Sequence, residues 1–477
     1  MPRPERTQLE RRKRAAARAA LYGTLALTTA AALTLSTQLS RSLRWQVQET
    51  WHRVDYRQLE EVQLLQRYLQ IDTTSDRGDE VAGAEFLASV LADAGVRSHL
   101  ERVGDRHANL WAVLDGEEPG ALVLHNHIDT DPVDPAEPWV YPPFAGTIKL
   151  PWIYGRGVFD MKGVAIAQLV AFLRAHEHDG RRRRSLVFLA TGSEEVGSDY
   201  GTLWVLRNHP QLARRFWGVL TEGGVVEALT QREVKYWGIE VIQKRFAHVE
   251  ACSPSRERLE LLRADVRSRG RIFADLELPP ATEAFLAAYA PTRTAASHRR
   301  LLGQPRLLLN HPASWRPVPT YVKALLRDEA MASRVHELAD GSFSVDVIFN
   351  LLPESDFAAV RERLLPGWMT QGLALAPSEP VGSGRGSPLD HPLYRAAAAA
   401  VVERYPRAVT GPFFLPWRAT DARFFRAAGI PAYGFSPFLI LSTDTLQVSK
   451  PNERMALPGF VGGVELYTDL VRRLVTD

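Results

Sequence analysis

Short apolar runs that alternate with helical patterns constrain the fold more than any other feature of this sequence. The runs are too short for helices and end at polar or glycine-containing segments, as β-strands do. They lie at residues 109–114, 121–125, 185–190 and 217–220. A helical pattern at residues 163–175 separates the second run from the third. The alternation predicts an α/β fold with a largely parallel sheet.

A change of pattern after residue 234 predicts two domains. At 477 residues the chain is too long for one ordinary core. The next segment mixes helical runs with residues 343–349, whose first half alternates like a strand, and a Pro/Gly/Ser-rich link follows at 377–388. The simplest organisation is an α/β domain interrupted by an inserted α+β domain, with boundaries at 45–234, 235–380 and 381–477.

The N-terminus predicts export to or across a membrane. Seven basic residues lie within residues 1–18 and precede an uncharged stretch at residues 19–40. As a helix this stretch would span about 33 Å, against a hydrocarbon core of about 30 Å. It is Ala/Thr-rich, so a cleaved secretory signal and a buried soluble helix stay open beside an uncleaved transmembrane anchor. An anchor would leave the basic segment in the cytoplasm and make the chain a single-pass membrane protein, periplasmic or extracellular.

Charge and cysteine content exclude some partners and cofactors. The formal charge of +3 is small, and the run of arginines at 181–184 is typical of a solvated turn, so we expect no nucleic-acid partner. Cys252 is the single cysteine, which excludes an intrachain disulfide and a zinc cage of thiolates.

Acidic and imidazole side chains follow the predicted strands. His127 and Asp129 stand two positions apart after the second run, so both leave a continuing strand on the same face. That pairing suits an imidazole metal ligand with a carboxylate to orient it. The other candidates lie in a glycine-containing loop or after later runs: Asp160, Glu194, Glu195 and Glu222.

Carboxylates at the carboxyl ends of successive strands converge in one crevice of an open α/β sheet. The adjacent Glu194 and Glu195 repel each other unless a positive charge lies between them, and a divalent metal ion would supply it. One glutamate could then bind the ion while its neighbour takes a proton from water. Any one of these residues alone is more simply a surface feature, but together they predict a metal-dependent hydrolytic site.

At these residues the sequence resembles the zinc metallopeptidase and amidohydrolase family of carboxypeptidase S, aminoacylase-1 and glutamate carboxypeptidase, in peptidase clan MH. The resemblance extends over nearly the whole of the chain beyond the N-terminal segment. It is carried by motifs in a fixed order at residues 71–74, 109–112, 127–129, 154–163, 194–198, 221–224, 419–423, 433–437 and 452–454.

The resemblance implies a zinc exopeptidase-like fold, with a mixed sheet flanked by helices and an inserted lid domain that often forms a homodimer. It also implies a pair of zinc ions. His127 and Glu222 would bind one ion, Asp160 would bridge to the other, and Glu195 would complete the second.

The same resemblance implies hydrolysis of a small peptide or an N-acyl amino acid. Glu194 would be the general base, and Asp129 would orient the ligand His127. The sequence assigns no substrate-binding residue.

Three positions depart from the family pattern. Ser449 stands where the family has its last zinc-binding histidine, Asn350 where it has an arginine for the substrate carboxylate, and His248 lies in a strand-like run rather than in the lid motif. A hydroxyl is a much poorer zinc ligand than imidazole. We therefore expect one tight zinc site and a second that is weak or absent, unless Asp444 or Gln447 replaces the lost ligand.

Two functions follow. The first is a zinc-dependent hydrolase of amide or peptide bonds that works outside the cytoplasm. The second is a membrane-tethered, catalytically inactive homologue that binds a ligand or partner in the crevice where the family has its active site. The retained base and the complete first zinc site favour the enzyme.

Overall fold

The computed structural model describes residues 54–476, apart from 179, 231–232, 274–277, 279, 305–319, 379 and 383. The basic segment 1–18 and the proposed membrane segment 19–40 lie outside the described residues. In the part of the chain that is described, no helix is both long enough and apolar enough to cross a bilayer.

The strands, in chain order, are β1 (Ser98–Val103), β2 (His107–Leu114), β3 (Glu118–His127), β4 (Thr147–Lys149), β5 (Trp152–Tyr154), β6 (Arg184–Thr191), β7 (Phe216–Thr221), β8 (Val225–Ala228), β9 (Val234–Gln243), β10 (Arg245–Ser253), β11 (Arg271–Phe273), β12 (Arg327–Ala332), β13 (His336–Glu337), β14 (Phe343–Leu351), β15 (Ala374–Pro377), β16 (Thr410–Leu415), β17 (Ala432–Gly434) and β18 (Arg454–Ala456).

The helices are α1 (Glu60–Leu69), α2 (Glu80–Asp93), α3 (Gly163–Glu177), α4 (Thr202–Asn208), α5 (Pro210–Ala213), α6 (Arg256–Arg269), α7 (Pro280–Tyr289), α8 (Ala296–Gly303), α9 (Thr320–Ala324), α10 (Phe357–Leu364), α11 (Gly367–Thr370), α12 (Pro392–Arg404), α13 (Ala422–Ala427), α14 (Ser442–Thr445) and α15 (Leu457–Val475).

The largest sheet that the described residues form has the strand order β1-β2-β6-β3-β7-β17-β9-β16, with β8 paired to β9. Strands β6, β3, β7 and β17 are parallel neighbours. The outer strands β1 and β2 pair antiparallel, and β9 runs antiparallel to β17. The predicted α/β class is confirmed. The edge strand β16 pairs parallel with β9. The sheet is therefore mixed, as the resemblance implied.

Strand β3 has a buried apolar run at Ala121–Leu124 because helices cover both faces of the sheet. Ala121 and Val123 belong to a buried cluster that includes Val205 of α4 and Phe425 of α13. The alternate residues of a strand point to the opposite face, where α3 contacts β3 and packs against α15. The apolar run is followed by polar residues, of which His127 is the last residue of β3.

A second, antiparallel sheet has the order β11-β12-β14-β10-β15, with β13 paired to β14. Alternate residues of β10 and β14 form one buried cluster with the apolar residues of α6 and α10. This arrangement is the small α+β unit that the sequence pattern predicted, with β14 at the predicted strand.

Two details differ from the predicted organisation. Strand β9 belongs to the large sheet, and the second sheet begins at Arg245. Helix α7 also packs on the large sheet, since Phe285 lies 5.6 Å from Phe413 of β16 between ring centroids. The division into 45–234, 235–380 and 381–477 stays a prediction. Within the described residues, the helical pattern expected over residues 45–69 forms a 3-10 helix at Tyr56–Gln58 and an α-helix from Glu60.

A buried ion pair joins α13 to the large sheet. Both guanidinium Nη atoms of Arg426 donate to the carboxylate of Glu240 on β9, each at 2.7 Å. The Glu240 carboxylate also accepts the N–H of Gly434 in β17. The pair therefore connects β9, β17 and the helix that follows the loop over the candidate site.

We expect Arg426→Met to lower the free energy of unfolding by about 3–5 kcal/mol, because it leaves the buried Glu240 carboxylate without its cation. Urea unfolding of the variant and the wild type measures this loss. Glu240→Leu combined with Arg426→Met removes both charges and should recover most of the lost stability. An equal loss in both variants would contradict this account of the pair.

Candidate metal centre

A cavity of about 460 Å³ opens beside the loops that follow β3, β6, β7 and β16. Its wall carries an unusual density of charged side chains: Asp131, Asp160, Glu194, Glu195, Glu222, Arg418 and Arg423. The predicted convergence of carboxylates after successive strands is therefore present in the structure.

His127, Asp160 and Glu222 lie together at this cavity. One candidate ligand atom from each residue lies within 4.8 Å of the other two. The Nε2 atom of His127 is 3.2 Å from Oδ1 of Asp160 and 3.7 Å from Oε2 of Glu222. The side chain of His127 is fully buried.

The other ring nitrogen of His127 is held by Asp129. Nδ1 donates to the backbone carbonyl of Asp129 at 2.9 Å and lies 3.5 Å from its Oδ1. Donation from Nδ1 directs the lone pair of Nε2 toward Asp160 and Glu222, as metal-binding histidines require. The prediction assigned this role to the side chain of Asp129, whereas the shortest contact comes from its main chain.

The Asp129 carboxylate holds the turn that carries the two glutamates. It accepts the backbone N–H of Glu194 at 3.0 Å and that of Glu195 at 2.9 Å. Asp421, in the loop after β16, accepts from Ser198 and Thr202 on the other side of this turn. Glu194 is thereby fixed at the cavity wall.

Asp160 is placed by the loop between β5 and α3. Glu453 accepts the backbone N–H of Phe159 at 2.9 Å and a hydrogen bond from Arg156 at 3.1 Å. Gly157 has φ 77°, and a Cβ there would lie 2.3 Å from Thr130. Only glycine therefore fits at this tight approach of the loop to the strand end.

The carboxylates strongly disfavour one another's charge. Burial and the neighbouring Asp160 raise the pKa of Glu195 to about 11 and that of Glu222 to about 7. Burial and Glu222 raise the pKa of Glu194 well above its ordinary value. A cation among these groups would relieve the repulsion.

The side chains of the first predicted ion site fit a divalent metal. One imidazole and two carboxylates match the ligand types of a catalytic zinc site with an open position. The buried Oε1 atom of Glu195 has no hydrogen-bond partner among the described residues.

Arg418 is the site residue that the sequence did not reveal. Its Nη1 donates to Oδ2 of Asp160 at 2.7 Å, and its Nη2 donates to Ser449 Oγ at 3.0 Å. Ser449 thus lies at the site, as the resemblance placed it, but it contacts a guanidinium. The available sequence signal was an arginine directly before the 419–423 motif.

The other two departures, Asn350 and His248, and the possible replacement ligand Asp444 have different surroundings. Asn350 is buried and donates to the carbonyl of Pro416 at 2.9 Å. His248 is exposed on β10. Asp444, considered as a replacement metal ligand, instead accepts hydrogen bonds from Arg454 and Trp152.

A family model described as peptidase family M20/M25/M40 matches residues 123–473. The chain belongs to this family. Rat aminoacylase-1B is 26% identical over 428 residues, which cover 87% of this chain and 95% of that protein. A probable succinyl-diaminopimelate desuccinylase of Staphylococcus epidermidis is 30% identical over 142 residues, covering 30% of this chain and 34% of that protein. The chain therefore matches about a third of the desuccinylase.

A solved M20 family metallo-carboxypeptidase from Sulfolobus solfataricus has the same fold. It superposes with a TM-score of 0.65 and 18% identity, covering 87% of this chain and 99% of that chain. The resemblance drawn from the sequence motifs is confirmed. Membership of family M20/M25/M40 makes this protein a homologue of metal-dependent hydrolases.

Glu80 contacts the turn that carries Glu194 and Glu195. It is buried, accepts the backbone N–H of Ser193 at 3.3 Å and lies 2.9 Å from Nδ1 of His107. Burial and the negative charge of Asp129 raise the pKa of Glu80 to about 8. The folded protein therefore keeps a proton here that the unfolded chain releases near its ordinary pKa.

Because the pKa of Glu80 is raised in the folded state, the protonated carboxyl group stabilises the fold. This contribution to the free energy of unfolding is complete at acid pH and is lost as the pH rises through about 8. Glu80→Gln mimics the protonated form. We expect its stability relative to the wild type to increase by up to about 1.4 kcal/mol per pH unit between about pH 5 and pH 8. Urea unfolding across this range measures the slope, and Glu85→Gln, on an exposed position of the same helix, is the control. Equal slopes for both variants would refute the assignment.

Proposed function

We propose that this protein is a metal-dependent hydrolase that cleaves the amide bond of a small peptide or an N-acyl amino acid. One observation carries the proposal: the ligand atoms of His127, Asp160 and Glu222 cluster within 4.8 Å at a cavity that Glu194 also lines. The family match and the names of its relatives, aminoacylase and metallo-carboxypeptidase, support this reaction class.

In this proposal His127, Asp160 and Glu222 would hold zinc. A zinc ion, when bound, polarises a carbonyl oxygen and lowers the pKa of water. Glu194 takes a proton from water and passes it to the departing amine. The raised pKa of Glu194 is the direction that a general base working near neutral pH needs.

The substrate carboxylate, where there is one, is not held at residue 350. The amide group of Asn350 donates to Pro416 and carries no charge. Arg423, which lines the cavity, offers a cation to an anionic substrate instead. A panel of dipeptides and N-acyl amino acids, each with a free or an amidated carboxyl end, therefore defines the substrate class.

We expect Glu194→Gln to reduce hydrolysis of this panel by about 10²–10⁴-fold, because the amide cannot accept the proton. Its zinc content should equal that of the wild type, since Glu194 is not one of the three ligands. Glu233→Gln, at an exposed position outside the cavity, is the control and should keep full activity. Wild-type protein that binds zinc but hydrolyses nothing would overturn the enzymatic function.

Asp129→Asn tests how the ligand histidine is supported. An asparagine amide cannot accept hydrogen bonds from both Glu194 and Glu195, so the turn and the neighbouring His127 should shift. We expect zinc affinity to fall about 10–100-fold. Competition with a chromophoric chelator measures the affinity, and an unchanged value would contradict the positioning role.

A catalytically inactive binding protein is the second candidate function. The contact of Arg418 with Asp160 favours it, because a cation already lies on a predicted metal ligand. The base Glu194 has no role in that function. Loss of hydrolysis in Glu194→Gln, from a measurable wild-type rate, decides for the enzyme.

We further propose that residues 19–40 anchor the chain in a membrane, with the hydrolase outside the cytoplasm. The support is the basic flank before an uncharged stretch. Resistance of the full-length chain to carbonate extraction, together with protease accessibility in intact cells, tests both parts. A homodimer through the inserted domain stays a prediction from the family resemblance.

A further inference from the structure

The position of a second metal ion in this family involves, on the resemblance drawn above, Asp160, Glu195 and residue 449. In this chain the guanidinium of Arg418 contacts two of those three positions. Nη1 donates to Oδ2 of Asp160 at 2.7 Å, and Nη2 donates to Oγ of Ser449 at 3.0 Å. The cation of a side chain therefore lies between the groups that would bind an ion.

Asp160 uses its two oxygens for different partners. Oδ1 lies 3.2 Å from His127 Nε2, on the side of the first ion site, and Oδ2 accepts from Arg418. A carboxylate that bridges two metal ions must offer one oxygen to each. The oxygen that would serve a second ion is bonded to the guanidinium.

Ser449 is a poor ligand for a second ion in this arrangement. A neutral hydroxyl is a weak ligand for divalent transition metals compared with imidazole, and this hydroxyl already accepts from Arg418. The guanidinium stays charged at every accessible pH. A divalent ion beside it would meet direct electrostatic repulsion.

We propose that Arg418 takes the place of the second metal ion, so that this protein binds one divalent ion where the family resemblance implies two. The proposal deepens the proposed function, because it concerns the same site and takes the first ion to bind at His127, Asp160 and Glu222. It assigns to Arg418 the charge compensation of Asp160, and to Ser449 the hydroxyl that orients the guanidinium.

The test restores the second site by removing the guanidinium of Arg418 and placing an imidazole at residue 449. Wild-type protein and the double variant Arg418→Gly with Ser449→His are dialysed against zinc, and bound metal is measured by elemental analysis. We expect about one equivalent in the wild type and about two in the double variant, whose added imidazole joins Asp160 and Glu195. Two equivalents in the wild type would overturn the proposal.

Two further variants separate the roles of the cation and the imidazole. Ser449→His alone keeps the guanidinium and should still bind about one equivalent. Arg418→Gly with Lys450→His adds an imidazole at the exposed neighbouring residue, and it should also bind about one. A second ion in Ser449→His alone would contradict the proposal, because the guanidinium is still present in that variant. A second ion in Arg418→Gly with Lys450→His would contradict the part assigned to residue 449, because no imidazole has been added there.

Electron paramagnetic resonance after manganese loading gives a readout that does not depend on activity. A lone ion and a magnetically coupled pair have different spectra, and we expect the coupled spectrum in the restored double variant alone. Circular dichroism and the urea midpoint establish that this variant is folded, and Arg418→Ala with Ser449→His replaces it if it is not. A folded variant of either kind that gains no ion over the wild type refutes the inference.

The difference between variant and wild type keeps this inference separate from the proposed function. A wild type that binds no zinc would refute the proposed first ion site. A gain of about one equivalent over that wild type would still support the exclusion of an ion by Arg418.

Discussion

Buried negative charge is the constraint on which this site depends. Asp160, Glu194, Glu195 and Glu222 share one cavity, and the protein cannot ionise all of them without cations. Burial, together with the neighbouring carboxylates, raises the pKa of each of the three glutamates. Every other feature of the site either delivers these carboxylates to one place or supplies positive charge to balance them.

The sheet brings the acidic side chains that follow its strands to one cavity, and the sequence predicted this arrangement. Strands β3, β6 and β7 are enclosed on both faces, so each contains a buried apolar run. His127 ends β3, and Glu194 and Glu222 follow soon after β6 and β7. His127, Glu194 and Glu222 were identified for this reason. The apolar run and the acidic residue after it are close together in the chain, so this pattern can be recognised without the structure.

Contacts between distant loops could not be predicted in this way. Arg418 and Asp160 are 258 residues apart, and a single arginine in a loop has no periodicity to mark it. The carboxylate of Asp129 was expected on His127, yet the backbone amides of Glu194 and Glu195 bind it.

A positively charged side chain and a metal ion balance the negative charge of the carboxylates differently. A guanidinium carries a single charge, whereas a divalent ion carries two, so Arg418 can balance Asp160 and leaves Glu195 unbalanced. Glu195 shows the consequence: its Oε1 is buried without a partner among the described residues, and its pKa is raised to about 11. A protonated Glu195 contributes no charge and places no demand on a second cation. In the proposed replacement of an ion by Arg418, the balance of charge therefore requires a neutral Glu195.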